Sequence, residues 1–513
     1  MLTIIKSGAL VGIDGIRVGV EVDSQRGLPS FNIIGLGDTA VKEAAERVKT
    51  AILNSGFSYP RGRVTVNLTP AWVHKKGSHL DLPMAVGVLG TEGTVSQERL
   101  EDKAFIGELT LTGNVMPVRG ILPMIKELLS CVKEIYLPYG NYSEGAMMSD
   151  GSGVKIIPVL SLTETVEILQ GKRFPADDVT TIKKRERKPV IDFFDVKDHW
   201  AAKEAMVVAM AGGHGLLMIG PPGTGKTMLA ERIPTIMPPM TKLEQLETSM
   251  VHSLVKDSKE ENNLVTLRPF RRINRRATET HILGGGYEPL PGEVSLAHNG
   301  VLFIDEFLEF SRSQIEMLRK PLEDGKVTIT RRGQPYTFPA KFTFVAATNP
   351  CPCGYLGDHT HTCKCTRGEI DAYHSKLSGA IADRIDMSIE VNRVNYKALT
   401  KGDSMSSEQM GEKVLKAREI QKQRFQGMGV ELNSHMSQSM IKKCCSLGKK
   451  ESDFLKKAYD RLSLSPRRYH KILRVARTIA DIGDSENIQM SHLAAALNYT
   501  RFFGSGEEMT WEK

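Results

Sequence analysis

The chain has 513 residues, of which 41% are hydrophobic and 25% charged, and its 68 Lys and Arg outnumber its 60 Asp and Glu. At about 100–200 residues per domain, this length predicts roughly two to four domains, each able to bury a core. Aromatic residues at 6%, with 46 Gly and 24 Pro, exclude collagen and wholesale disorder, and no apolar run reaches the ~18 residues a membrane span needs.

The opening residues, MLTIIKSGALVGIDGIRVGVEVDS, alternate as strands do and lack a basic start followed by an apolar block, so no secretory signal is expected. VKEAAERVKTAILNSG (41–56) has apolar residues at helical spacing and ends on a helix stop. RVTVNLTP (63–70) and VKIIPV (154–159) read as strands. GKRFPADDVTTIKKRERKPV (171–190) has two prolines and no apolar period, and is expected to be a solvated interdomain linker. From about 192 to 392, helical and strand segments alternate as in a parallel α/β sheet, with LLMIG (216–220), VLFIDE (301–306) and FTFVAATN (342–349) as short apolar strands. From about 396 the pattern is helical. The expected domains are therefore 1–170, 191–395 and 396–513, with the linker 171–190 after the first.

GPPGTGKT at 220–227 fits G-x-x-x-x-G-K-[ST] and lies between a strand and MLAERI, the context that motif requires. Gly223 and Gly225 would let the backbone turn its N–H groups toward phosphates, with Gly220, Pro221, Pro222 and Thr224 completing the loop and Met228 following in the helix. Lys226 would reach the β- and γ-phosphates of ATP, and the Thr227 hydroxyl would bind Mg²⁺. Asp305 and Glu306 end an apolar strand expected beside the phosphate-loop strand, where Asp305 could hold the Mg²⁺ shell and Glu306 polarise the attacking water. Asn349 ends the third strand, and its amide could orient the same water. Positive charge is also needed at the γ-phosphate; Arg384 in SGAIADRIDM is the first candidate and Arg467 in LSLSPRRYH the second.

Taken in order, GPPGTGKTMLAERIP, GGGYEPLPGEVSLAHNGVLFIDEFLEF, LRKPLEDGKVTITRRGQPYTFPAKFTFVAATNPCPCG and LSGAIADRIDM resemble the magnesium-chelatase-like AAA+ ATPases. The likeness is to the bacterial ComM/YifB subgroup and extends over nearly the whole chain. It implies an N-terminal α+β domain similar to that of Lon protease (ribosomal S5 domain 2-like) and RadA. A central AAA+ P-loop NTPase domain with a parallel sheet and a helical C-terminal lid would follow. It implies Walker A at 220–227, a Walker B strand ending at Asp305 and Glu306, sensor 1 at Asn349, an arginine finger at Arg384 and a sensor 2 arginine at Arg467. A finger serving a neighbour's nucleotide implies a ring, a homo-hexamer. The subgroup further implies ATP-driven branch migration of single-stranded or branched DNA during recombination or natural transformation. The alternatives are a metal-chelatase motor subunit and a chaperone-like remodeller of protein complexes. A protease is argued against, because the lysine of the Lon dyad aligns with Leu122 and its serine falls near His79, leaving Ser78 without a lysine. One departure concerns RPFRxPHH, which here reads RPFRRINRR (268–276), with Asn274 and Arg275 in place of the histidines. A basic loop that could contact nucleic acid remains.

Four of the seven cysteines, Cys351, Cys353, Cys363 and Cys365, fall in CPCGYLGDHTHTCKC, with His359 and His361 between them. Four thiolates on one short loop could hold tetrahedral Zn²⁺, although C-x-C is tighter than the commoner C-x₂₋₄-C; disulfides or plain loop cysteines are the other readings. This clustering points to a reducing cytoplasm rather than a secreted disulfide framework. Positive charge gathers between 412 and 477, with 17 Lys and Arg against 6 Asp and Glu. It gathers too in VTITRRGQPYTF (327–338), which reads as a hairpin with Arg331 and Arg332 beside a Gly turn. These two arginines are expected to hold DNA phosphates without reading bases.

Overall fold

Alternating apolar residues in Leu2–Val11 and Asp14–Gln25 zip two long strands into an antiparallel pair, with Leu2 opposite Asp23 and Val11 opposite Asp14. In the computed structural model, which describes residues 2–175, 191–255, 264–331, 333–358, 360–394 and 404–500, this pair lies inside a seven-stranded mixed sheet. The order is Ser30–Ile34, Arg63–Thr69, Asp14–Gln25, Leu2–Val11, Lys103–Phe105, Glu134–Pro138 and Lys155–Val159. Helix Thr39–Asn54 begins where the Asp38 side chain accepts the Val41 N–H, and it buries Val41, Ala44, Val48, Ala51 and Ile52 at helical spacing. Helix Asp81–Thr91 is buried on every side, and a Cβ on Gly87 would come within 2.5 Å of Val22. Its small residues let it lie directly on the sheet.

A second sheet is all parallel, in the order Phe270–Ile273, Val301–Ile304, Thr343–Thr348, Leu216–Ile219 and Met387–Glu390. Its three central strands are buried at every residue, as strands covered on both faces must be. This order corrects one expectation. The strand leading to Asp305 is not the neighbour of the phosphate-loop strand; Thr343–Thr348 lies between them and pairs with both. All three strands carry the same apolar pattern, so hydrophobicity identifies them without saying which edges meet.

Five main helices follow among the described residues: Ser407–Arg424, Gln438–Cys444, Lys449–Arg461, Pro466–Ile482 and Met490–Tyr499. Met410, Val414, Ile472, Val475 and Ala476 from these helices share one core with Met206, Met210, Leu216 and Val345 of the sheet-bearing unit. Two polar links reinforce that contact. His214 lies between Asp386 Oδ2 at 3.1 Å and Thr478 Oγ1 at 2.8 Å. The buried Lys203 ammonium donates to the Phe193 carbonyl at 3.1 Å, to the Val196 carbonyl and to the Ser404 hydroxyl. Residues 176–190 of the expected linker lie outside the described residues. Among the described residues, no helix is long and apolar enough to cross a membrane.

Candidate nucleotide site

The loop 220–225 leaves strand Leu216–Ile219 and enters helix Lys226–Arg232. Gly223 and Gly225 have φ of +77° and +87°, a region that side chains with a Cβ rarely adopt. At Gly220 a Cβ would lie 2.1 Å from the Val391 carbonyl oxygen, so no side chain fits. The Thr224 hydroxyl donates to the Pro221 carbonyl at 3.0 Å and tightens the turn. Lys226 is buried, and its Nζ donates to the carbonyls of Gly220 (2.7 Å) and Pro221 (2.8 Å) and to Asn349 Oδ1 (3.4 Å). Burial pushes this ammonium down to about 8, while Asp305 and Glu306 act to raise it. A cation resting on neutral carbonyls is a receptor for an anion, because a phosphate oxygen gives it a stronger, charge-assisted bond. Met228 is 46% exposed.

Asp305 and Glu306 follow the buried strand Val301–Ile304 and emerge at the same end of the sheet. Thr227 Oγ1 donates to Asp305 Oδ2 at 3.0 Å, and the Glu306 N–H donates to Asp305 Oδ1 at 3.0 Å. Thr227 and Asp305 thus form a pair of hard oxygen donors of the kind Mg²⁺ prefers. Glu306 is exposed with φ of +51°, a left-handed conformation costing about 1–3 kcal/mol in a non-glycine residue.

The site also holds a residue that sequence reasoning missed. Arg272, on the edge strand Phe270–Ile273, donates to Asp305 Oδ2 at 2.7 Å and pairs with Glu231 at 3.3 Å. The 268–276 segment, expected as a basic loop open to nucleic acid, is instead largely engaged internally: Arg268 clamps Glu244 (2.8 and 3.0 Å) and Arg271 clamps Glu293 (2.6 and 2.6 Å). Only Arg275 and Arg276 of its arginines are exposed without a carboxylate among the described residues. His199, with φ of +56°, is a second unforeseen neighbour: its Nε2 lies 3.8 Å from where a Gly225 Cβ would be. No local pattern flags either residue, since each arrives through a tertiary contact.

Other candidates lie away from the loop. Arg384 follows the short helix Gly379–Ala382 and pairs with Glu323 at 2.8 Å. Arg467, at the start of Pro466–Ile482, pairs with Asp383, so the two arginines occupy one patch and neither bonds the phosphate loop. Arg331 is exposed at the end of the hairpin Lys326–Arg331/Gln334–Pro339, opposite Gln334; Arg332 lies outside the described residues. In the basic C-terminal helices, Arg418, Arg424, Lys471, Arg474 and Arg477 bond internal carbonyls or Asp481. Lys442, Lys443, Lys449, Lys450, Lys456 and Lys457 are exposed. The N-terminal Ser78 hydroxyl bonds Glu108, while Leu122 is buried. The four clustered cysteines carry free thiols whose sulfurs lie within 4.8 Å of one another.

Comparison with known proteins agrees with this layout. The family described as "Magnesium chelatase, subunit ChlI" matches residues 192–399, "Subunit ChlI of Mg-chelatase" matches 20–141, and "Magnesium chelatase, subunit ChlI C-terminal" matches 404–500. The chain belongs to the magnesium-chelatase-like AAA+ ATPases. Competence protein ComM of Haemophilus influenzae is 40% identical over 97% of both chains, and YifB of Escherichia coli, an uncharacterised protein, is 36% identical over 97% of both. Within the family, the chain therefore falls in the ComM/YifB group. Magnesium-chelatase subunit ChlI of Euglena gracilis is 22% identical over 33% of this chain and 55% of its own.

Proposed function

We propose that the chain is a Mg-ATP-driven DNA motor of the cytoplasm. It works as a homo-hexamer and moves single-stranded or branched DNA as a branch-migration helicase in recombination or natural transformation. Lys226 and the loop N–H groups bind the phosphates, and Thr227 and Asp305 hold Mg²⁺, which neutralises phosphate charge when bound. Glu306 takes the proton of the attacking water, Asn349 orients that water, and Arg384 with Arg467 supplies positive charge across a subunit boundary.

The observation that carries the DNA reading is the placement of Arg331. Along the chain its hairpin lies between the strand leading to Asp305 and the strand leading to Asn349, the two residues to which this reading gives catalytic roles. Arg331 is exposed at the tip side of that hairpin, whereas Arg268, Arg271 and Arg272 are engaged by internal carboxylates. An exposed guanidinium that has no carboxylate partner among the described residues suits a sequence-independent grip on a phosphate backbone.

The test is ATP turnover with and without forked and single-stranded DNA, together with a branch-migration assay of the wild type and Glu306→Gln. DNA-stimulated turnover, with migration lost in the variant, is the expected result; turnover indifferent to every DNA tested would overturn the reading. A metal-chelatase motor is less well supported, because the chelatase subunit of Euglena gracilis is 22% identical over 33% of the chain, against 40% over 97% for ComM of Haemophilus influenzae. A remodeller of protein complexes would respond to a protein substrate and not to DNA.

A further inference from the structure

We propose that Cys351, Cys353, Cys363 and Cys365 bind one Zn²⁺, and that this metal holds the loop forming one wall of the phosphate site. The first part stands independently of the motor reading; the second rests on the nucleotide site alone. Sulfur separations are 3.4 Å for Cys351–Cys353, 3.5 Å for Cys353–Cys363 and 3.6 Å for Cys351–Cys363, and all four sulfurs lie within 4.8 Å of one another. Four thiolates at ~2.3 Å from a tetrahedral ion stand about 3.8 Å apart, so the tetrad is close to the size a single ion requires. A disulfide would draw two sulfurs to ~2.05 Å, and none of these cysteines is so paired. A cluster of several irons would push the sulfurs much farther apart, and soft thiolates select against Mg²⁺ or Ca²⁺.

Backbone donors surround the tetrad. Backbone N–H groups of Gly354 and Leu356 face the Cys351 sulfur, those of Tyr355 and Lys364 face Cys353, and the Cys353 N–H reaches Cys365 Sγ at 3.4 Å. Such donors stabilise negative sulfur and orient it, as the outer shell of a metal site does. Gly354, with φ of +85°, turns the chain immediately after the C-x-C pair. His361 is not a ligand: its ring stacks on Tyr355 at 4.8 Å and its Nδ1 bonds Thr360 at 2.9 Å.

The same loop touches the nucleotide site at two points. Asn349, within 3.4 Å of Lys226 Nζ, precedes Cys351 by two residues, and the intervening Pro350 carbonyl is fixed by His374 Nε2 at 2.9 Å. A Cβ on Gly354 would lie 2.9 Å from Pro222 Cδ and 3.8 Å from Asn349 Cγ, so the C-x-C turn rests directly on the phosphate loop. Beyond Cys365 the chain enters helix Arg367–His374, on the way to Arg384. Few apolar side chains secure this segment, and a bound ion would supply the rigidity that packing does not.

The full-length chain, purified without chelators, is expected to carry one zinc per chain by elemental mass spectrometry and to show no visible absorption band. Cys363→Ser/Cys365→Ser is expected to lose the metal. Binding of a fluorescent ADP analogue would then be measured on wild-type chain before zinc removal, after it, and after zinc is added back. At least about tenfold weaker binding on removal, restored by zinc, is expected for a metal that positions the site. A metal-free wild type, or a disulfide within the tetrad, would overturn the zinc site. Zinc that can be removed with no change in nucleotide affinity would overturn the positioning role and leave the zinc site standing. A zinc-replete chain that binds no nucleotide would overturn both the positioning role and the nucleotide reading, while the zinc count would stand.

Discussion

Lys226 holds its proton in a pocket of carbonyl oxygens, with its ammonium lowered to about 8 by burial. A phosphate raises that value by supplying a charge partner, so nucleotide binding takes up a proton above pH 8. Affinity is therefore full below about pH 8 and falls by at most about tenfold per unit above it, a slope that calorimetric titration at pH 7, 8 and 9 would register. Lys226→Ala is expected to lower turnover by at least about 100-fold. Glu306→Gln keeps the side-chain shape but removes the base, so ATP should remain bound through gel filtration without being cleaved. Arg272 sits on Asp305 where a metal ion would approach, a cation standing in the place of another. Arg272→Ala is expected to lower the Mg²⁺ concentration giving half-maximal turnover; an unchanged or higher value would mean that the arginine does not compete with Mg²⁺.

The hairpin Lys326–Arg331/Gln334–Pro339 is legible in the amino-acid sequence, from β-branched residues around an Arg-Gly turn. Its role depends on where it is inserted. Arg331→Ala should weaken binding to unrelated DNA sequences alike and reduce the salt slope of log affinity by about 1. Lys203 illustrates the opposite case: nothing in WAAKEAMVVAMAG marks its lysine as buried, yet it joins the Phe193 and Val196 carbonyls to Ser404. Lys203→Ala leaves those buried acceptors without a donor and should destabilise the chain by about 2–5 kcal/mol in urea unfolding. The phosphate loop is readable because its glycines, lysine and hydroxyl are consecutive. The strand order, the basic 268–276 segment and Arg272 are not, because each depends on a partner far along the chain.

At the scale of the whole molecule, Arg384 and Arg467 share a patch with Glu323 and Asp383 rather than facing the phosphate loop of their own chain. A ring gives that patch a purpose: it would meet the nucleotide of the next subunit. Lys226→Ala and Arg384→Ala should each be inactive alone. When mixed, they should recover up to about a quarter of wild-type turnover, because random assembly leaves that share of interfaces with both groups intact. No recovery would place Arg384 outside catalysis in trans.

Consecutive residues determined the phosphate loop, the acidic strand end, the cysteine tetrad and the family, because each is a run whose chemistry needs only local spacing. Tertiary folding decided which strand lies between Lys226 and Asp305, which arginines are free for a ligand and which are bound to carboxylates. It also brought the C-x-C turn against Pro222. Those outcomes arise from pairing between surfaces far apart in sequence, where many registers satisfy the same hydrophobic pattern and only the packed whole selects one.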